Sequence, residues 1–168
     1  WFVTTKKADF NHIAAEFGIS PVLARIIRNR DIVTEEEVRY FLHGTLEDLH
    51  DPYLLKGMRE GSAFLYAAIR EKKRIRIIGD YDVDGICSTY VLYHALQLLG
   101  ASVSYRIPHR IKDGYGLNEE IIRECSGQQV EVIVTCDNGI AAAKEIALAK
   151  ELGMEVLVTD HHEVPYRE

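Results

Sequence analysis

The stretch Arg74-Ile75-Arg76-Ile77-Ile78-Gly79, running into Asp80-Tyr81-Asp82-Val83-Asp84-Gly85, decides how this 168-residue chain is read. Its first half is rich in β-branched residues and ends at glycine, the pattern of a short buried strand. Its second half sets three carboxylates at alternate positions just past that strand. Two later runs repeat the arrangement. Val130-Glu131-Val132-Ile133-Val134-Thr135 is followed, after Cys136, by Asp137-Asn138-Gly139, and Glu155-Val156-Leu157-Val158-Thr159 is followed by Asp160-His161-His162. A further strand is predicted over 102–107, and helices over about 86–99, from Asn118-Glu119-Glu120 onward, and over about 141–152, the first and last closed by Gly100 and Gly153. Strands alternating with helices predict an α/β fold, a doubly wound, mostly parallel sheet joined by right-handed crossovers. Ligands of such sheets bind outside the carboxyl ends of the strands. Three such ends carrying carboxylate and imidazole predict a divalent-metal site.

Other readings of the acidic run are weaker. A calcium loop beginning at Asp80 would put Gly85 correctly at its sixth position, but its twelfth is Val91, where a bidentate Glu is required. A phosphatase with an aspartyl nucleophile also places D-x-D after a strand, yet leaves Asp160-His161-His162 unexplained. Asp84 alone could sit at a helix start, stabilised by the dipole. Three acids at alternate positions, however, repel one another unless cations intervene. Asn138-Gly139 by itself signals only a tight turn. Two histidines in tandem after Asp160 suggest a division of labour: one imidazole ligates a metal, the other donates to a phosphate oxygen, and Asp160 orients a ring.

Upstream of residue 56 the chain reads as a small helical lead-in. Ser20-Pro21 is a helix start, with Val22, Leu23, Ile26 and Ile27 at one-face spacing. Thr34-Glu35-Glu36-Glu37 is a capping box leading into Val38, Phe41 and Leu42. Residues 46–55 contain Pro52 and no period, so they read as a connector. A longer helix is predicted over about 56–72, with Met58, Phe64, Leu65, Ala68 and Ile69 inward. The domains predicted are therefore 1–55, helical, and 56–168, the α/β core.

Bulk properties narrow the function classes. A formal net charge of −6 and a pI near 5.7 argue against general coating of polyanions. Local basic groups and metal ions can still bring nucleic acid to one place. No apolar run approaches the ~18 residues of a membrane span, and Trp1 to Lys7 carries no secretory pattern. Cys87, Cys125 and Cys136 form no C-x-x-C pair, which points to a reducing compartment and, by expectation, the cytoplasm. Cys136 beside Asp137 is read as packing, because carboxylates and histidine suit Mn²⁺ or Mg²⁺ better than thiolates do. Arg106, His109, Arg110 and Lys112 form the basic cluster nearest the acidic rim. They are candidates for a nucleic-acid backbone, and Tyr115 for stacking on a base.

Together, Gly79-Asp80-Tyr81-Asp82-Val83-Asp84-Gly85, Thr135-Cys136-Asp137-Asn138-Gly139 and Thr159-Asp160-His161-His162 resemble the first three motifs of the DHH phosphoesterase superfamily. The loop Pro108 to Leu117 and the stretch from Phe41 to Leu55 are similar to its RecJ branch, the single-strand-specific exonucleases. The resemblance implies that Asp82, Asp84, Asp137 and His161 ligate two Mn²⁺ or Mg²⁺ ions, with Asp137 bridging and Asp80 accessory. It makes His162 the residue that contacts the scissile phosphate. Asp160, which orients a ring, is counted with it as catalytic, and Asn138 is counted with Arg110, His109, Lys112 and Tyr115 as an expected substrate contact. Pyrophosphatase and small-nucleotide branches carry a histidine where this chain has Ile78, which favours RecJ. The family also uses a fourth acidic motif and a C-terminal substrate-holding domain. Neither fits after His162, so the chain is expected to be a portion truncated before that motif, with weak or no activity by itself. The expected function is metal-dependent 5′-to-3′ hydrolysis of single-stranded DNA in repair and recombination. Alternatives are a DHH phosphodiesterase acting on short oligonucleotides or cyclic dinucleotides, and a metal- or nucleic-acid-binding module without turnover.

Overall fold

The computed structural model describes residues 6–165; the leading Trp1 to Thr5, read above for a secretory pattern, lie outside the described residues. The chain divides into two compact units, Trp1–Leu55 and Lys56–Glu168.

The first unit holds α1 (Phe10–Phe17), α2 (Pro21–Asn29) and α3 (Glu35–His43), then two short 3-10 turns at Leu46–Asp48 and Pro52–Leu54. Local polar chemistry starts each helix. The Asp9 carboxylate accepts from the His12 amide, and the Ser20 hydroxyl accepts from the Leu23 amide at 3.2 Å. At α3 the capping box is complete: the Glu37 amide donates to Thr34 Oγ1 at 3.1 Å, and the Thr34 amide donates to Glu37 Oε2 at 2.9 Å. The apolar faces are narrower than the spacing predicts. Ala24 and Ile27 are buried in α2, whereas Val22 is 68% exposed, and in α3 Val38 is buried while Phe41 is exposed. Nine-residue helices offer their neighbours one i, i+3 stripe, and the flanking apolar residues fall outside it.

The second unit runs α4 (Met58–Arg70), β1 (Arg74–Ile78), α5 (Val83–Leu98), β2 (Ser102–Arg106), α6 (Glu119–Gly127), β3 (Val132–Cys136), α7 (Ala143–Glu151), β4 (Glu155–Thr159). The four strands form one wholly parallel sheet in the order β2-β1-β3-β4. Period-2 alternation splits each inner strand between two cores. Ile75, Ile77, Val132, Val134 and Cys136 pack with Leu96 of α5, and with Phe64, Ala68 and Ile69 of α4. Ile78 and Ile133 pack on the opposite face with Ile121, Ile122 and Cys125 of α6 and Ala149 of α7. Helices cover both faces, as the alternating pattern predicts for a doubly wound sheet. Each fully buried Ile contributes about 1.5–3 kcal/mol, so the inner strands hold the unit together.

α5 begins at Val83, three residues before the predicted start. Asp82 is its N-cap, with Oδ1 accepting from the Gly85 amide at 3.0 Å. The chain leaves β1 toward β2 on one side, and β3, on the other side of β1, leads on to β4. The gap between β1 and β3 is therefore the topological switch point of the sheet, where a crevice opens.

Candidate metal centre

The loops after β1, β3 and β4 meet above that switch point. Oxygens of Asp80, Asp82 and Asp137 all lie within 4.8 Å of one another, and so do ligand atoms of Asp137, His161 and His162. The two groups share Asp137. Its backbone leaves β3 at φ 61°, a left-handed conformation that Asp tolerates better than most residues. Its amide donates to the Thr159 carbonyl of β4 at 3.1 Å, and its own carbonyl accepts from the Tyr115 hydroxyl at 3.0 Å. Gly139 completes the turn at φ 108°, packed against Thr135.

His161 Nε2 lies 2.8 Å from Asp137 Oδ1, and the side chain is 71% exposed. His162 is oriented by Asp160. Nδ1 of the ring lies 2.7 Å from Asp160 Oδ1, and the Ile140 amide fixes the other carboxylate oxygen at 2.9 Å. That bond to Asp160 raises the pKa of His162 above its ordinary value. The Asp160 carboxyl itself is almost fully buried; burial pushes it up, but the Ile140 amide and His162 outweigh this and hold it below its ordinary value. Tyr115 sits edge-on to both Tyr81 and His162. Burial, then the surrounding Asp160, Asp80, Asp137 and Asp82, push its phenol up to about 12, so it stays a donor.

This donor set fits a hard divalent cation. It consists of carboxylate oxygens with one or two imidazole nitrogens, the ligands suited to Mn²⁺ or Mg²⁺. Asp80 is buried in the structure and its Oδ1 has no hydrogen-bond partner, a costly arrangement for an anion without a counter-charge. Cys136 fits as packing: it is buried, and burial raises its thiol above the ordinary value, away from the thiolate a metal would need.

Several site residues lie elsewhere than the sequence places them. Asp84 is exposed in the first turn of α5 and is in neither group; Asp80, read as accessory, takes the place beside Asp82 and Asp137. Asn138, read as a substrate contact, is fully buried. Its Nδ2 donates to the carbonyls of Ile78 and Cys136 at 3.0 and 2.8 Å, tying the ends of β1 and β3 together. Arg106, read with the strand-binding bases, is held by Glu124 and Asp113 and so is withdrawn from the loop's free charges. Arg110 and Lys112 are exposed, and the Arg110 guanidinium lies 4.7 Å from the Tyr81 ring centroid. His109 is also exposed, but its Nδ1 accepts from the amides of Ile111 and Lys112. Sequence reasoning missed Tyr81, Asp113 and Ile140. Only Asp113 carried a signal, as the one acid in a basic, glycine-rich loop. Ile78, at the family's alternative histidine position, is fully buried in the sheet.

The N-terminal domain of the DHH family matches residues 74–168, and the chain belongs to that family. The chain is 43% identical over 151 residues to the single-stranded-DNA-specific exonuclease RecJ of Bacillus subtilis strain 168, covering 90% of this chain and 19% of the relative. It is 36% identical over 146 residues to the RecJ exonuclease of Escherichia coli K12, covering 86% and 24%. A crystal structure of exonuclease RecJ bound to manganese matches with a TM-score of 0.64 at 43% identity, over 67% of this chain and 29% of that one. RecJ from Thermus thermophilus in complex with Mn²⁺ matches with a TM-score of 0.65 at 32% identity, over 94% and 22%. The chain thus spans between 19% and 29% of these relatives' lengths.

Proposed function

We propose that the rim formed by these loops is the phosphoester-cleaving centre of a single-strand-specific DNA exonuclease acting from the 5′ end. Residues 1–55 would serve as a helical lead-in and 56–168 as the phosphoesterase core. The observation that carries the reading is the pair of ligand groups sharing Asp137, one of carboxylates and one with imidazoles. Asp80, Asp82 and Asp137 would hold one cation, and Asp137 with His161 the other. Mn²⁺ or Mg²⁺, when bound, offsets the charge of the phosphodiester, activates the attacking water and stabilises the leaving oxygen.

The chain's own groups supply orientation. Asp160 takes Nδ1 of His162 and favours the protonated ring, whose free Nε2–H would donate to a phosphate oxygen as negative charge builds there. Tyr115 fixes the Asp137 carbonyl, and so the turn that presents the shared carboxylate. Arg110 and Lys112, exposed on the loop after β2, would meet the strand backbone, and Tyr81 and Tyr115 offer aromatic surface to bases. The names of the relatives support single-stranded DNA as substrate, and a place in DNA repair and recombination is part of the proposal. Among the described residues no helix is long and apolar enough to cross a membrane. The three free cysteines support the cytoplasm as the working compartment.

The test is a protein of the relatives' length carrying this sequence, given Mn²⁺ and a 5′-labelled single strand. Release of mononucleotides is expected, abolished by Asp137→Ala with the circular-dichroism spectrum retained. Binding without cleavage, or preference for a dinucleotide over a long strand, would overturn the reading.

A further inference from the structure

We propose that Arg106 and Asp113 are positioning residues: their ion pair, anchored through Glu124 to the buried Arg76, holds the loop after β2 so that Tyr115 closes the rim at Asp137 and His162. The inference rests on the reading of that rim as the phosphoester site.

Arg76 lies in the inner strand β1 and is only 9% exposed. A guanidinium in that place needs every donor answered. Nε donates to Ser104 Oγ at 2.7 Å, one terminal nitrogen donates to Gln128 Oε1 at 2.6 Å, and the other lies 3.5 Å from Glu124 Oε1. Glu124, on α6, uses its second oxygen for Arg106 Nε at 3.3 Å. Arg106, the last residue of β2, then donates to Asp113 Oδ2 at 2.9 Å and to its neighbour's carbonyl at Ile107 at 2.6 Å.

Asp113 is the loop's internal clasp. The same Oδ2 accepts from the His109 amide at 2.7 Å, the Asp113 amide donates to the His109 carbonyl at 2.9 Å, and the Asp113 carbonyl accepts from Asn118 Nδ2 at 2.9 Å. Asn118 in turn caps α6. The line of charge therefore alternates from strand to helix to strand end to loop, and two residues beyond Asp113 stands Tyr115. Gly114 and Gly116 on either side of that tyrosine both have positive φ, a backbone that has little rigidity of its own. The clasp sets the path of the chain into Tyr115, on which the tyrosine's contacts with Asp137, Tyr81 and His162 depend. The ligand the loop would meet is an anionic strand, so a fixed Arg110 and Lys112 also depend on Asp113.

Hydrogen exchange on the 168-residue chain tests the inference. In Asp113→Asn and in Arg106→Met, amides of 107–117 should exchange about tenfold faster, while Ile75, Ile77 and Val134 keep their rates. The double variant should fall short of the sum of the two single effects, because both substitutions remove the Arg106–Asp113 pair. In a protein of the relatives' length carrying this sequence, binding of a short 5′-phosphorylated oligothymidylate should weaken about tenfold in Asp113→Asn. Unchanged exchange in the loop overturns the proposal. So does an equal rise throughout the sheet, which would mean the network only stabilises the unit. If a protein of the relatives' length carrying this sequence leaves the single strand uncut yet the exchange follows the expectation, the positioning role stands and the exonuclease reading falls.

Discussion

Asp137 joins backbone and side-chain demands in one residue. It turns the chain through a left-handed conformation, it is almost buried, and its carboxylate belongs to both ligand groups. Close glycine contacts set up the same rim. A Cβ on Gly85 would stand 2.5 to 2.7 Å from backbone atoms of Asp80, and one on Gly79 would stand 2.1 Å from Thr89 Oγ1 and 3.0 Å from the Gly85 carbonyl. The first turn of α5 therefore lies directly on the end of β1, and this sets where Asp80 and Asp82 point. Gly85→Ala should cost about 2–4 kcal/mol, since backbone must move to admit the methyl; a urea melt reads this as a lowered midpoint. Gly127→Ala is the contrasting case. It is helical, with open space around the added carbon, and should stabilise by up to about 1 kcal/mol. The sequence marks all these glycines alike; only the approach of a second backbone separates them.

At the scale of elements, capping and loop clasps are both open to test. Thr34→Ala removes one half of the capping box of α3 and should lower the stability of the first unit by about 1 kcal/mol, measured by thermal melting. The loop after β2 should depend on pH. The His109 amide bond, then the Arg106 charge, hold the Asp113 carboxyl below its ordinary value; Arg106 itself faces Glu124 and Asp113. A lowered carboxyl stabilises the folded form fully above its unfolded pKa and loses that contribution as pH falls through the folded value. Protection of the His109 amide, corrected for intrinsic exchange, should thus be flat from neutrality to about pH 5 and fall below about pH 4. In Asp113→Asn it should be low throughout.

Much of this level was legible in the sequence. β-branched runs ending at glycine or acid marked the strands, and Ser20, Thr34 and Asn118 marked helix starts, because strand packing and capping act over a few residues. Arg106 was not legible as an anchored group, because its partner Glu124 lies on another element. Asn138 was misread for a similar reason. Asn-Gly announces a turn but not that the amide faces inward to two strand ends.

For the whole molecule, strand order does the positioning. With β1 and β3 adjacent and their chain directions diverging, the loops after them are forced to share one crevice, and β4 brings the histidines beside it. The three motifs, spread over some eighty residues of sequence, could be grouped from their strand-end positions. Which acids of Asp80-x-Asp82-x-Asp84 face the crevice could not, because that depends on α5 starting at Val83 and carrying Asp84 round its first turn. The central claim is that these tips form one cation-binding rim. Paramagnetic broadening by substoichiometric Mn²⁺ in an amide NMR spectrum of the chain tests it most directly and does not need tight binding. The account predicts that signals of Asp80, Asp82, Asp137, His161 and His162 disappear first, and that Asp137→Ala abolishes the selectivity. Broadening spread over acidic surface such as Glu35 to Glu37, with the rim spared, would contradict it.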